Sequence, residues 1–168
     1  MRVLLTIFCL GLLSSCADYR WGGNKPSHLE EIQAIYIPLA KSRVIFPRVE
    51  ALATNSVVDA FTVDGTYRIG SSNNADATLL LTIEQLTYRQ ARSSREDVLR
   101  SEELRLEVTV SYQLINPSQP GIVLESGKGR GQTRLFVDDN LQTARASALH
   151  DALQRAATSI VARLADGI

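Results

Sequence analysis

The chain is short of the residues on which active sites are commonly built. Among its 168 residues are two cysteines, Cys9 and Cys16, and two histidines, His28 and His150. A structural or catalytic zinc needs three or four clustered Cys, His or carboxylate ligands, so no metal site is expected, and nothing in the pattern calls for a cofactor. His150 lies beside an apolar helical stripe, where a boundary histidine is ordinary. No Gly-x-Ser-x-Gly elbow is present. Asp138-Asp139 and Glu102-Glu103 read as a helix start and a solvated strand edge, not as the paired carboxylates of a sugar-cleaving cleft. An enzyme is therefore not expected. The 18 basic and 18 acidic residues cancel, which removes the overall field that would draw nucleic acid. Any anion must instead meet a local patch.

What is present begins at the N-terminus. Arg2 is followed by an apolar stretch from Val3 to Leu13 and then by the small residues Ser14 and Ser15, the layout of a secretory signal. The stretch is about a dozen residues long, against the roughly 20 that cross a bilayer as a permanent helix. Leu13-Ser14-Ser15-Cys16 resembles the lipobox of bacterial lipoproteins, with Ser15 where Gly or Ala is more usual. The resemblance implies removal of residues 1–15 as a signal peptide and acylation of Cys16, palmitate included, as the first mature residue. Cys9 leaves with the signal, so no disulfide can form within the mature monomer. Each buried methylene adds roughly 0.8 kcal/mol of membrane affinity, and two or three acyl chains make a stable anchor. Lipoproteins kept in the inner membrane typically carry Asp directly after the cysteine. Here that position is Ala17, with Asp18 one place on, so the expected location is the periplasmic side of the outer membrane.

Residues 16–31 are polar, with Gly22, Gly23, Asn24 and Pro26, and read as a lipidated tether and turn. Residues 32–168 are expected to form a single domain, since about 150 mature residues suffice for one core. A first strand is expected between Ile32 and Pro38. Pro47 suits the first turn of a helix whose stripe is Val49, Leu52, Ala53, Val57, Ala60 and Phe61, and Asp64-Gly65 ends it. A short strand is expected at Thr66 to Ile69. Ala77, Leu79, Leu81 and Ile83 alternate in another that continues to Tyr88. From Glu103 to Ile115 the alternation is clearest, with Leu106, Val108, Val110 and Tyr112 inward and Arg105, Glu107, Thr109, Ser111 and Gln113 outward. A last strand is expected from Ile122, and Asp138 or Asp139 should cap a long alanine-faced helix. Gly127, Gly129 and Gly131 offer that helix a shallow bed. The expected fold is α+β, with two helices packed on one face of a mainly antiparallel four- or five-stranded sheet.

Two basic groups stand out. Lys128, Arg130 and Arg134 share a parity and should project from one strand face. Their glycine-rich context lacks the spacings of a nucleotide loop. Arg89, Arg92, Arg95 and Arg100 fall around the connection from Gln90 to Ser101, where a solvated hairpin tip competes with a role in gripping phosphates or carboxylates by guanidinium forks.

Taken in order, these segments resemble the lipopolysaccharide-assembly lipoprotein family, LptE. The likeness is carried by Cys16 followed by Tyr19-Arg20, by Ile35-Tyr36-Ile37-Pro38, by Pro47 to Phe61 with Glu50, by Asp64-Gly65, and by Ala75-Asp76-Ala77. The chain departs from the pattern at Asp18, where Gly is usual, at Lys41-Ser42, and in lacking a Trp on the last strand. The resemblance implies a lipoprotein that plugs an LptD-like outer-membrane β-barrel, assists its assembly, and binds lipopolysaccharide during transport to the outer leaflet. Arg89, Arg92, Arg95, Lys128 and Arg130 are the candidate lipopolysaccharide contacts, taken from the basic groups above and not from a family motif. The competing expectation is an auxiliary lipoprotein of a lipid-trafficking ABC transporter, or an activator of cell-wall synthases.

Overall fold

The computed structural model describes residues 25–93, 101–136 and 140–167; Cys16 and the rest of the N-terminal segment lie outside them. After a 3-10 turn at Ser27–Leu29, the elements are β1 (Ala34–Tyr36), β2 (Lys41–Ser42), α1 (Val49–Asp64), β3 (Arg68–Ile69), β4 (Ala77–Ser93), β5 (Ser101–Asn116), β6 (Gln119–Phe136) and α2 (Leu141–Asp166). The strands form one six-stranded sheet in the order β3-β1-β4-β5-β6, with β2 beside β4.

This sheet is mixed, which corrects the expectation of a mainly antiparallel one of four or five strands. β4, β5 and β6 form an antiparallel meander, but β1 pairs parallel with both β3 and β4, and β2 pairs parallel with β4. The cause is connectivity: α1 carries the chain back along the sheet between β1 and β3, and strands joined by such a crossover must run parallel. Asp76 locks the seam. Its Oδ2 accepts the N–H groups of Gln33 at 2.9 Å and Ala34 at 2.8 Å, and these bonds hold its carboxyl below the usual carboxylate range. The Ala75-Asp76-Ala77 sequence thus fastens the start of β4 to β1.

Helix α1 buries Val49, Ala53, Val57 and Phe61, a stripe at steps of four. It ends as expected at Gly65, whose φ of 77° is left-handed and whose N–H donates to the Phe61 carbonyl. Its start differs, because Pro47 stands one place before the N-cap, Arg48, which takes the left-handed φ of 61°. Phe61 meets the Tyr67 ring edge-on at 5.9 Å. The buried Tyr67 hydroxyl donates to the Leu164 carbonyl at 2.7 Å, pinning the last turn of α2. Burial, helped by the nearby Asp64 charge, pushes its pKa up to about 12.

Helix α2 lies on β6 where the glycines allow it. A Cβ at Gly129 would strike the Ala156 carbonyl and the Ile160 side chain, and one at Gly131 would strike the Ala152 carbonyl and come within 2.7 Å of the Ala156 N. Gly127 serves a different purpose, since its missing side chain makes room for the Tyr112 ring across the strand pair. The N-cap of α2 is Asn140, whose side chain accepts the Thr143 N–H. Asp138 and Asp139, expected to serve there, lie outside the described residues. The inward sets of β4 and β5 join both helices in one hydrophobic cluster.

Candidate functional site: the uncovered face of the sheet

The helices seal one face of β4, β5 and β6, and the other face remains open. Strand register decides what stands there. Arg89 on β4 is directly opposite Arg105 on β5, and Arg105 is directly opposite Arg134 on β6. Three guanidinium side chains therefore form one row across the sheet. Like charges placed opposite one another across a strand pair are destabilising, and the row has partial relief: Glu107 reaches Arg89 at 3.6 Å and Glu103 reaches Arg134 at 3.5 Å. Among the described residues Arg105, the middle member, has no carboxylate partner.

Further along the same face the rows become Thr87, Glu107 and Gln132, then Gln85, Thr109 and Arg130, then Thr82, Ser111 and Lys128. Lys128, Arg130 and Arg134 do project together, as their parity implied. A cavity of about 330 Å³ is lined by Arg105, Thr133 and Arg134. Another of about 570 Å³ lies at the opposite end, where the segment carrying Pro38, Leu39 and Arg43 overhangs Leu80 and Lys128. There β4 bulges between Ile83 and Gln85, and the extra residue, Glu84, accepts hydrogen bonds from Arg43 at 2.6 Å and Ser111 at 2.7 Å. The bulge reverses the parity of the strand: Leu79, Leu81 and Ile83 face inward before it, and after it the even-numbered Leu86 and Tyr88 pair with the inward Val108 and Leu106.

The second basic group is placed differently from expectation. β4 runs on to Ser93 and β5 begins at Ser101, so Arg89 stands on a strand and not at a hairpin tip. Arg92 is a strand residue opposite Glu103, whereas Arg95 and Arg100 lie outside the described residues. The structure thus brings Arg89, Lys128 and Arg130 to one face, together with Arg105 and Arg134. What sequence reasoning missed is the row, because parity gives a face but only register gives neighbours across strands. His28 and His150 do not come together: His28 Nε2 bonds Glu125 at 2.9 Å, and His150 is exposed on α2. No cluster of metal-ligating side chains exists among the described residues.

A two-helix layer sealing one side of a mixed sheet, with the other side polar and rich in arginine, defines an α+β domain whose open sheet face is the candidate site. The family model for LptE, lipopolysaccharide-assembly, matches residues 32–164, and the chain belongs to that family. Its members are outer-membrane lipoproteins without enzymatic activity. No curated protein matches the chain. Among solved structures, a protein from Xanthomonas campestris shares the fold at a TM-score of 0.55 and 16% identity, over 77% of this chain and 81% of that one. A minor lipoprotein from Acinetobacter baumannii does so at a TM-score of 0.52 and 11% identity, over 78% and 91%. At such identities the likeness is one of fold alone. No helix among the described residues is long and apolar enough to cross a membrane.

Proposed function

We propose that this chain is a lipoprotein anchored through Cys16 to the periplasmic side of the outer membrane, where it plugs and helps assemble an LptD-like β-barrel and binds lipopolysaccharide bound for the outer leaflet. The row Arg89, Arg105, Arg134 carries the proposal. A planar fork donates two parallel hydrogen bonds to a phosphate or carboxylate, and an anionic headgroup over the row would relieve the repulsion that the two nearby carboxylates leave at Arg105. Lys128 and Arg130 extend the cationic side of that surface, and Arg92 and Arg95 follow Arg89 along the chain as further contacts. The same open face suits a barrel lumen, which is polar.

Affinity purification from detergent-solubilised envelope tests the partner. The expected result is recovery of a large outer-membrane protein whose gel mobility shifts on heating, as a barrel's does. Recovery of an ABC-transporter component or a peptidoglycan synthase in its place would support the competing role and end this one. Replacing Arg105, Thr109 and Gln113 by glutamate should reduce the barrel's recovery without unfolding the domain.

A further inference from the structure

The two helices leave a groove between them on the side away from the sheet. It has a volume of about 520 Å³ and is lined by Ser56, Asp59, Ala60, Val63, Asp64, Gln154, Thr158, Val161, Ala162 and Asp166. Three observations set it apart from an ordinary helix seam. Its floor is apolar, and Val63 is 88% exposed. Its rim is acidic, and among the described residues neither Asp59, Asp64 nor Asp166 has an ion-pair partner. Ser56, only 2% exposed, lines it with a hydroxyl that has no hydrogen-bond partner.

The charges at the mouth are reinforced by the backbone. The contacts of Gly129 with Ala156 and Ile160, and of Gly131 with Ala152, show that α2 runs antiparallel to β6. α1 returns between parallel strands and so runs the same way. Both helices therefore end at one side of the molecule, at Asp64 and Asp166. A helix C-terminus carries roughly half a negative charge, so two carboxylates and two helix ends face the same mouth. Such a site calls for a cation beside an apolar group.

The chain supplies both from its own N-terminus. The described residues begin at Lys25 and Pro26, and a Cβ at Gly167 would lie 3.4 Å from the Pro26 ring, one residue beyond Asp166. Immediately upstream stand Arg20 and Trp21, the latter the only tryptophan in the chain. Four residues of extended chain span at most about 14 Å, and the eight residues from Ser56 to Asp64 rise about 12 Å along the helix. We propose that this groove seats the Tyr19–Trp21 segment, with the Trp21 indole on the apolar floor, its N–H donated to Ser56, and the Arg20 guanidinium among Asp59, Asp64 and Asp166. Docking needs no lipid. Its consequence rests on the Cys16 anchor proposed above: a seated tether holds the acylated residue beside the ends of the two helices.

The single tryptophan makes the test direct. In the chain from residue 16 onward carrying Cys16→Ser, without detergent, Trp21 fluorescence should be blue-shifted relative to the urea-unfolded chain and quenched by acrylamide at least three times more slowly. Val63→Arg, at an exposed position that the core does not need, should abolish both effects with the thermal midpoint unchanged, and Arg20→Glu should weaken them. Fast quenching in the parent chain overturns the proposal. So does protection that survives Val63→Arg, or protection that vanishes on dilution, which would assign the groove to a second copy. The acylation state, read by mass spectrometry on the native lipoprotein, decides the anchor independently.

Discussion

The two faces of β6 are built from opposite kinds of residue. On one side Gly127, Gly129 and Gly131 present almost nothing, so that α2 and the Tyr112 ring can lie against the backbone itself. On the other, alternating with those glycines, Lys128, Arg130 and Arg134 stand exposed. One strand thus supplies both a close backbone-to-helix packing and a cationic surface, and a residue's parity decides which it serves. Substitutions on the two sides should therefore act on different quantities: stability on the helix side, binding on the open side.

The largest effect should come from Gly131→Val. Its side chain must displace the α2 backbone at Ala152 and Ala156, so denaturant unfolding should show a loss of about 3 kcal/mol, the upper end for overpacking. The neighbouring Arg130→Val, facing solvent, should stay within about 0.5 kcal/mol of the parent. If the two substitutions cost the same, the contrast between the faces fails.

Next comes the seam between the parallel and antiparallel parts. Asp76→Ala removes two charge-assisted bonds to backbone N–H groups, and at this exposed position a loss of about 1–2 kcal/mol is expected. The pH dependence follows from the direction of its shift. A carboxyl held below its usual range binds its proton less readily folded than unfolded, so its contribution is complete above the unfolded pKa and disappears as pH falls through the lower folded one. The acid limb of a stability profile should accordingly flatten in Asp76→Asn.

A smaller effect is expected beneath the helix end. Tyr67→Phe deletes the bond to the Leu164 carbonyl and should cost about 1 kcal/mol. In the parent, the folded pKa of about 12 exceeds the unfolded value near 10, so the unfolded chain loses this proton first. Stability should drop as pH rises from about 10 to 12, and the variant should lack that component. On the open face Arg105→Gln should change stability least of all, since it deletes a charge lying between two like charges.

How much of this was legible in the sequence depended on the length and regularity of each element. The alternation from Leu104 to Leu114 and the alanine-rich stripe of α2 declared themselves, and the glycines marked where that helix would lie. Strands of two or three residues, such as β2 and β3, hold too little pattern to reveal a parallel pairing, and so the mixed character of the sheet was hidden. The bulge at Glu84 was equally hidden: counting by twos from Ile83 would send Tyr88 outward, whereas it pairs beside Leu106 on the packed side. The arginine row was the least legible feature. Arg89, Arg105 and Arg134 belong to three strands, and one sequence gives each of them a face without giving the register that makes them neighbours.

The most direct test is equilibrium binding of purified lipopolysaccharide to the mature domain, measured at low and at physiological salt, for the parent and for Arg105→Gln combined with Arg134→Gln. Binding in the double variant should weaken at least tenfold and lose most of its salt dependence, with thermal unfolding unchanged. Equal affinity and equal salt dependence in the two proteins would show that the open face does not hold the anionic headgroup.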